Sequence, residues 1–70
     1  MNKYALTIRQ DQILQELCKG HSNKQIARIL NIAEATVKVH LTSVFIKLNV
    51  TTRIQAMMKT LQEQHESKTL

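Results

Sequence analysis

Apolar residues recur every three or four positions along most of this chain, which is the spacing of helices that bury one side. Short polar breaks divide the pattern into four stretches, the last of which begins after residue 52. We therefore predict an all-α fold of four helices. The buried stripes expected for the first three are Ile13, Leu14, Leu17 and Cys18; Ile26, Ala27 and Leu30; and Val37, Leu41, Val44 and Leu48.

Residues that favour helix ends stand at the breaks. Gly20, Asn31 and Asn49 follow the first three helices, where a left-handed backbone is needed and Gly or Asn tolerates it. Ala33 begins the third helix without a capping side chain, unless Asn31 with Glu34 forms a displaced capping box. The capping boxes expected elsewhere are Thr7 with Gln10 and Ser22 with Gln25, and Thr52 and Gln55 are expected to open the fourth helix.

The pattern indicates a single domain over residues 6–62. Seventy residues are near the lower limit for a self-sufficient core. Residues 1–5 are predicted to be flexible. Residues 63–70, EQHESKTL, are polar without an apolar stripe, so we expect a frayed tail.

The net charge and its distribution along the chain indicate the kind of partner. The net charge is +5, which favours an anionic partner. Residues 21–48 hold four basic residues and one acid, so most of the surplus lies on the second and third helices. Residues 22–48 have the length of two helices joined by a tight turn, and such a unit displays a basic helix suited to the major groove of DNA. Its side opposite the buried stripe carries Ala35, Val39, Thr42, Ser43 and Ile46, with Lys38 on the flank.

Three short motifs sharpen this interpretation. SNK-x-IA begins at Ser22, TVK-x-H at Thr36 and KL-x-V at Lys47. In this order they resemble the DNA-binding domain of LuxR-type (FixJ/GerE-like) bacterial transcription regulators, over residues 6–61. The resemblance implies a four-helix LuxR-type helix-turn-helix domain that binds double-stranded DNA sequence-specifically, as a bacterial transcription regulator or its C-terminal effector domain. The recognition helix would span about residues 34–48.

The sequence departs from the family's usual pattern at four positions, none of them on the expected groove side. Gln10 stands where the family usually has Glu, and Ala33 replaces a capping Ser. Asn31 and Asn49 replace glycines and preserve the backbone requirement.

The third helix carries the expected base contacts, Lys38, Val39 and Thr42, which match base-contacting positions of the family. Lysine donates to guanine O6 and N7, and an outward valine suits a thymine methyl. Thr42 lies one turn beyond Lys38 and can meet a base edge or a phosphate. The alternatives are a solvated lysine and a stray exposed valine, which is common.

The expected phosphate contacts lie at helix starts and flanks. Free amides and the helix dipole attract anions at the start of the second helix. Ser22 alternatively serves only as a cap, and Arg53 either reaches a phosphate or binds a carboxylate within the domain. The expected phosphate contacts are Ser22, Asn23, Lys24, Thr36 and Lys47.

The fourth helix carries more apolar surface than a small core needs. Ala56, Met57 and Thr60 share one face, which we expect to be buried. The neighbouring face, Ile54, Met58 and Leu61, is then left for a two-fold dimer. Such a homodimer would be weak without DNA and would favour an inverted-repeat site. The alternative is that this second face is the core and Ala56 faces water.

Other chemistry finds little support. The three histidines and Cys18 match no zinc-site spacing, and no Gly-rich phosphate loop is present. We therefore expect no metal, no cofactor and no enzymatic activity. His40 would bridge the core and a phosphate, or bond internally. One unpaired cysteine, expected in the core, and no apolar run of about 20 residues favour a cytoplasmic protein without a membrane partner.

Two other functions remain open. One is a LuxR-like protein-interaction module that dimerises with another regulator and modulates it. The other is a fragment like region four of a sigma factor, which touches promoter DNA and RNA polymerase. Thr36, Lys38 and Ser22 favour DNA binding over the first, and the TVK-x-H motif disfavours the second. A contact with RNA polymerase is a further expectation for a DNA-bound regulator.

Overall fold

The computed structural model describes the backbone of residues 3–69 and the side chains of residues 3–64. Over this range the chain forms four helices and no strand, as the apolar spacing predicts. They are α1 (Ile8–Cys18), α2 (Asn23–Leu30), α3 (Glu34–Leu48) and α4 (Arg53–Thr69).

Both predicted capping boxes form, and a third forms where Thr52 and Gln55 are predicted to open α4. At α1 and α2, the hydroxyl of Thr7 or Ser22 accepts from the backbone N–H three residues later, and the glutamine there accepts from the capping residue's N–H. Before α4, Thr52 and Gln55 exchange the same two bonds, at 3.1 and 3.2 Å. Each pair satisfies amides that a helix start leaves unpaired.

The predicted left-handed residues are confirmed. Gly20, Asn31 and Asn49 have φ of 93°, 57° and 59°, and they end α1, α2 and α3 in turn. Asparagine tolerates this region better than other side chains do. The two Asn-for-Gly departures therefore keep the left-handed turns that end α2 and α3.

The start of α3 differs from one expectation. Ala33 is its N-cap, and no side-chain hydrogen bond caps the helix within the described residues. The displaced box of Asn31 with Glu34 is therefore wrong. Asn31 is already committed to the left-handed turn. The backbone hydrogen bonds of α3 begin at the Ala33 carbonyl, which accepts from Thr36 N at 3.0 Å and Val37 N at 3.2 Å.

The core lies around α3, which packs against α1 and α2, while α4 packs against α1. Cys18, expected inside, is half-buried at the α1–α4 contact. Burial raises the pKa of its thiol, although a hydrogen bond with Thr60 opposes the shift. The buried apolar residues are Leu6, Ile13, Leu14, Leu17, Ile26, Ala27, Val37, Leu41, Val44, Leu48 and Ala56.

Helices α2 and α3 meet at 109°, within the range of helix-turn-helix units. No single helix among the described residues is long and apolar enough to cross a membrane. Only α2 and α3 taken together pass that test, as a bent pair. Their apolar residues Ile26, Val37 and Val44 are fully buried in the domain core, which accounts for the apolar composition of the pair.

Residues on both sides of the predicted limits of 6 and 62 make contacts within the domain. Tyr4 donates a hydrogen bond to Glu63, and the carbonyl of Ala5 accepts one from Lys47 at 3.1 Å. The backbone of α4 stays helical to Thr69. The flexible N-terminus and the frayed tail stay predictions, and residues 1, 2 and 70 lie outside the described residues.

Candidate nucleic-acid interface

One side of α3 is open along most of its length. Val39 and Ile46 are 70% and 74% exposed, and Ala35 and Thr42 are exposed as well. These residues recur at helical spacing on the side opposite the core, and we call the four of them the outer ridge. The Thr42 hydroxyl donates to the Lys38 carbonyl at 3.0 Å, so its hydrogen is used within the helix and its oxygen can still accept. The predicted outward side is confirmed at these positions.

Ser43 is an exception. The wheel places it on the outward side, but it is half-buried and its hydroxyl accepts from Gln10 Nε2 at 3.1 Å. The first turn of α1 covers this side of α3. Ser43 and Lys47 are one turn apart and both bond to Gln10; with Thr36 they form what we call the α1 flank of the ridge.

Lys47, predicted to meet phosphate, already has partners within the domain. Its ammonium donates to Gln10 Oε1 at 2.8 Å and to the Ala5 carbonyl at 3.1 Å. Thr36, on the same flank near the start of α3, is exposed. The sequence placed Lys47 on the correct flank but did not indicate that it anchors the N-terminal segment.

The opposite flank, which we call the α2 flank, faces the start of α2. Lys38 is exposed there, beside an open pocket of about 220 Å³. The pocket brings an expected base contact, Lys38, next to an expected phosphate contact, Asn23. Its lining residues are Asn23, Lys38, Leu41, Thr42, Phe45 and Arg53.

The start of α2 can bind an anion. Ser22 Oγ accepts from Gln25 N at 3.1 Å, and Gln25 Oε1 accepts from Ser22 N at 2.8 Å. The Ser22 oxygen thus caps the helix while its hydrogen can still donate to a phosphate, so capping and binding are compatible. Lys24, two residues on, is exposed. The helix dipole adds positive potential here.

Among the described residues, Arg53 binds no carboxylate, one of the two partners considered for it. Its guanidinium donates to Asn23 Oδ1 and to the His21 carbonyl, the latter at 2.9 Å. It therefore ties the first turn of α4 to the start of α2. Because Arg53 occupies the Asn23 oxygen, the Asn23 NH2 group is the part of that side chain left to donate to a phosphate.

His40 lies half-buried at the edge of α3. Its spacing from the other histidines and Cys18 does not match a zinc site, and it does not belong to a cluster of acidic residues among the described residues. In the part of the chain that the structure describes, no three His, Cys, Asp or Glu residues come together in a way that could hold a metal ion.

The two faces of α4 are sorted as predicted. Ala56 is fully buried, and Thr60 is buried beside it. The predicted dimer face, Ile54, Met58 and Leu61, is 63%, 65% and 48% exposed. The alternative, in which this face forms the core, is wrong.

These features match a known family. The family model described as "Bacterial regulatory proteins, luxR family" matches residues 4–60. The chain belongs to the luxR family. Its helix-turn-helix unit and the motifs at Ser22, Thr36 and Lys47 fall within the matched residues. The chain is thus a LuxR-type DNA-binding domain, in agreement with the resemblance seen in its sequence.

Relatives of this luxR-family domain are regulators. The nitrate/nitrite response regulator protein NarP of Escherichia coli (strain K12) is 52% identical over 58 residues, or 83% of this chain and 27% of NarP. The transcriptional regulatory protein ComA of Bacillus subtilis (strain 168) is 43% identical over 53 residues, or 76% of this chain and 25% of ComA. The chain spans about a quarter of the length of these relatives.

A solved structure shares the fold. It is the crystal structure of the anti-activator RapF complexed with the response regulator ComA DNA binding domain. The match has a TM-score of 0.74 and 42% identity, and it covers 77% of this chain and 93% of that chain.

Proposed function

We propose that this domain regulates transcription by binding double-stranded DNA sequence-specifically, with α3 in the major groove. The outer ridge carries the proposal. It is exposed along α3, it lies between flanks that bear Lys38 and Lys47, and the 109° angle to α2 holds it clear of the domain. A helix in the major groove lies between two phosphate strands, so a ridge with a basic residue on each flank suits that position.

Each side chain has a role that follows from its position. Lys38, Val39 and Thr42 contact bases: Lys38 donates to guanine, Val39 meets a thymine methyl, and the Thr42 oxygen accepts. Ser22, Asn23 and Lys24 at the start of α2 bind the phosphates of one strand. Thr36 and Lys47 bind those of the other strand.

The α4 stripe of Ile54, Met58 and Leu61 is proposed to form a two-fold homodimer on DNA. It is apolar, exposed and separate from the buried face of the same helix. A stripe of three side chains buries little area, so the dimer is weak in the absence of DNA. A two-fold axis through α4 would present two recognition helices to an inverted repeat.

Fluorescence anisotropy on a labelled duplex tests the proposal, with a cognate site selected from a pool of random duplexes. We expect tight binding to the selected duplex and weaker binding to a scrambled one. Affinity for both should fall steeply as salt rises. Failure to bind any duplex at low salt would contradict the proposal.

The same assay distinguishes DNA binding from the alternative function, a protein-interaction module. The matched ComA domain is complexed with the anti-activator RapF, so a domain of this fold can be bound by a protein. Here, however, exposed Lys24 and Lys38 serve DNA binding, and a module that only modulates another regulator has no use for them. A role in binding rather than catalysis, a location in the bacterial cytoplasm and a contact with RNA polymerase complete the proposal.

A further inference from the structure

The side chain of Gln10 joins three parts of the domain: the N-terminal segment, α1 and α3. It is buried at the start of α1. Its Nε2 donates to Ser43 Oγ at 3.1 Å, and its Oε1 accepts from Thr7 N at 3.0 Å and Lys47 Nζ at 2.8 Å. The orientation of the amide is fixed by chemistry, because the Thr7 N–H and the Lys47 ammonium can only donate.

Lys47 is held by neutral acceptors. One is Gln10 Oε1, and the other is the carbonyl of Ala5 at 3.1 Å. Ala5 has a left-handed φ of 57°, uncommon for a residue other than glycine. The two bonds use two of the three ammonium hydrogens. These neutral acceptors thus fix the position of Lys47 on the α1 flank, and one ammonium hydrogen is left to donate.

A glutamate at position 10 would keep the geometry and change the charge. It closes the same capping box and offers an oxygen in the same place. It would, however, set a carboxylate 2.8 Å from the Lys47 ammonium. The approaching DNA strand would then meet an ion pair with no net charge in place of a cation.

We propose that Gln10 is a positioning residue for DNA binding. Its neutral amide fixes Lys47 and Ser43 on the α1 flank and leaves the Lys47 charge free to neutralise a DNA phosphate. This inference rests on the proposed function. It identifies Gln10, away from the outer ridge, as the residue that sets how much positive charge this flank presents to DNA.

The test compares Gln10→Glu with Gln12→Glu in the full chain. Gln12 is exposed on the same helix, so the control makes the same change in net charge. Binding to a random-sequence duplex is measured over a salt series. With one fewer phosphate neutralised, the advantage of wild type over Gln10→Glu should shrink about 3.5-fold between roughly 50 and 200 mM salt. The ratio of wild type to Gln12→Glu should change less.

A double-mutant cycle shows whether Gln10 acts through Lys47. We expect Lys47→Met to lower the salt slope as Gln10→Glu does, and Gln10→Glu to have no further effect on that slope in the Lys47→Met background. An unchanged slope in Gln10→Glu, or an equal change in both backgrounds, would overturn the inference. So would a large drop in melting temperature for Gln10→Glu, since glutamate closes the same box. Loss of binding by wild type itself would instead contradict the proposed function.

Discussion

Arg53, the first residue of α4, donates a hydrogen bond to the side-chain oxygen of Asn23, the first residue of α2. A second guanidinium nitrogen donates to the carbonyl of His21, at 2.9 Å. The contact is internal, yet it occupies the Asn23 oxygen and leaves the NH2 group for the proposed phosphate contact. The oxygen of Asn23 therefore serves stability, whereas its NH2 group is the part proposed to serve DNA binding.

Asn23→Asp should separate these two demands. A carboxylate pairs with Arg53 and suits the positive end of α2, so the free energy of unfolding should rise by up to about 1 kcal/mol. The same carboxylate repels phosphate and lacks the NH2 donors, so DNA affinity should fall. Thermal melting and anisotropy measure the two effects. In Asn23→Ala, the control, both quantities should fall. A gain in DNA affinity for Asn23→Asp would remove Asn23 from the phosphate contacts.

Lys38 and Lys24 should contribute differently to DNA binding. Lys38 lies on the α2 flank of the ridge, so Lys38→Ala should reduce the preference for a selected duplex over a random one by about 1–3 kcal/mol. Lys24 is proposed to contact the phosphate backbone of DNA, so Lys24→Ala should weaken binding to both duplexes and lower the salt slope by about one. Unchanged discrimination in Lys38→Ala would mean that the assigned ridge does not face the bases.

Ala33→Ser should stabilise the domain. The N-cap of α3 has extended backbone angles but no side-chain hydrogen bond, so a serine oxygen there can accept from an unpaired amide of the first turn. The expected gain in the free energy of unfolding is about 0.5–2 kcal/mol. Ser22→Ala is the matched control, because it removes an existing cap and should cost a similar amount. A thermal melt without a gain would show that water already satisfies these amides well.

The sequence predicted what depends on neighbouring residues. The capping boxes at Thr7, Ser22 and Thr52 join residues three apart, and left-handed Asn31 and Asn49 follow from helix length and residue type. Such features are local, so a linear pattern contains them. The faces of α4 were also predictable, because Ala56 and Met58 differ by a rotation of the helix wheel.

The contacts that the sequence did not indicate join distant residues. Arg53 reaches Asn23, 30 positions away, and Gln10 reaches Ser43 and Lys47, 33 and 37 positions away. These depend on how helices pack, which periodicity alone does not give. Ser43 illustrates the limit: the wheel of α3 shows which side faces away from the core, but not that α1 covers part of it.

Low pH should weaken the contacts that Lys3 and Tyr4, in the N-terminal segment, make with Glu63 of α4. Burial disfavours the charged form of Glu63, but hydrogen bonds from Tyr4 and Lys3 outweigh it and hold its pKa below the usual 4.5. A lowered carboxyl pKa adds stability above the unfolded-state value, and this is lost as pH falls through the folded-state value. The melting temperature should therefore fall below pH 4.5, and Glu63→Gln should reduce that fall. Equal acid sensitivity in both proteins would contradict this role.

The contact between Tyr4 and Glu63 should also weaken at high pH. Burial, and next the hydrogen bond to Glu63, raise the pKa of Tyr4 to about 12 from its usual 10.0. The neutral phenol therefore adds stability that is present below pH 10 and lost as pH rises towards 12. Tyr4→Phe cannot ionise, so its melting temperature should decline less over this range. A parallel decline in the two proteins would show that Tyr4 ionises as freely folded as unfolded.

Met58→Glu should abolish cooperative DNA binding without unfolding the domain. Met58 is 65% exposed at the centre of the α4 stripe, while the buried face of the helix is formed by Ala56 and Thr60. A carboxylate at position 58 is therefore solvated in the monomer but would lie across the two-fold axis from its own copy. Like charges in an apolar contact oppose association. The melting temperature should change little. On a duplex with two inverted half-sites, binding to one half-site should no longer assist binding to the other.

Gln64→Glu is the matched control for this last change. It adds the same charge at an exposed position of α4 that lies off the stripe, so cooperativity should survive. Binding to a single half-site should be alike in the two variants, since neither residue lies on α3 or at the start of α2. Cooperative occupancy that persists in Met58→Glu would exclude α4 as the dimer interface. Equal loss in both variants would attribute the effect to net charge, not to the stripe.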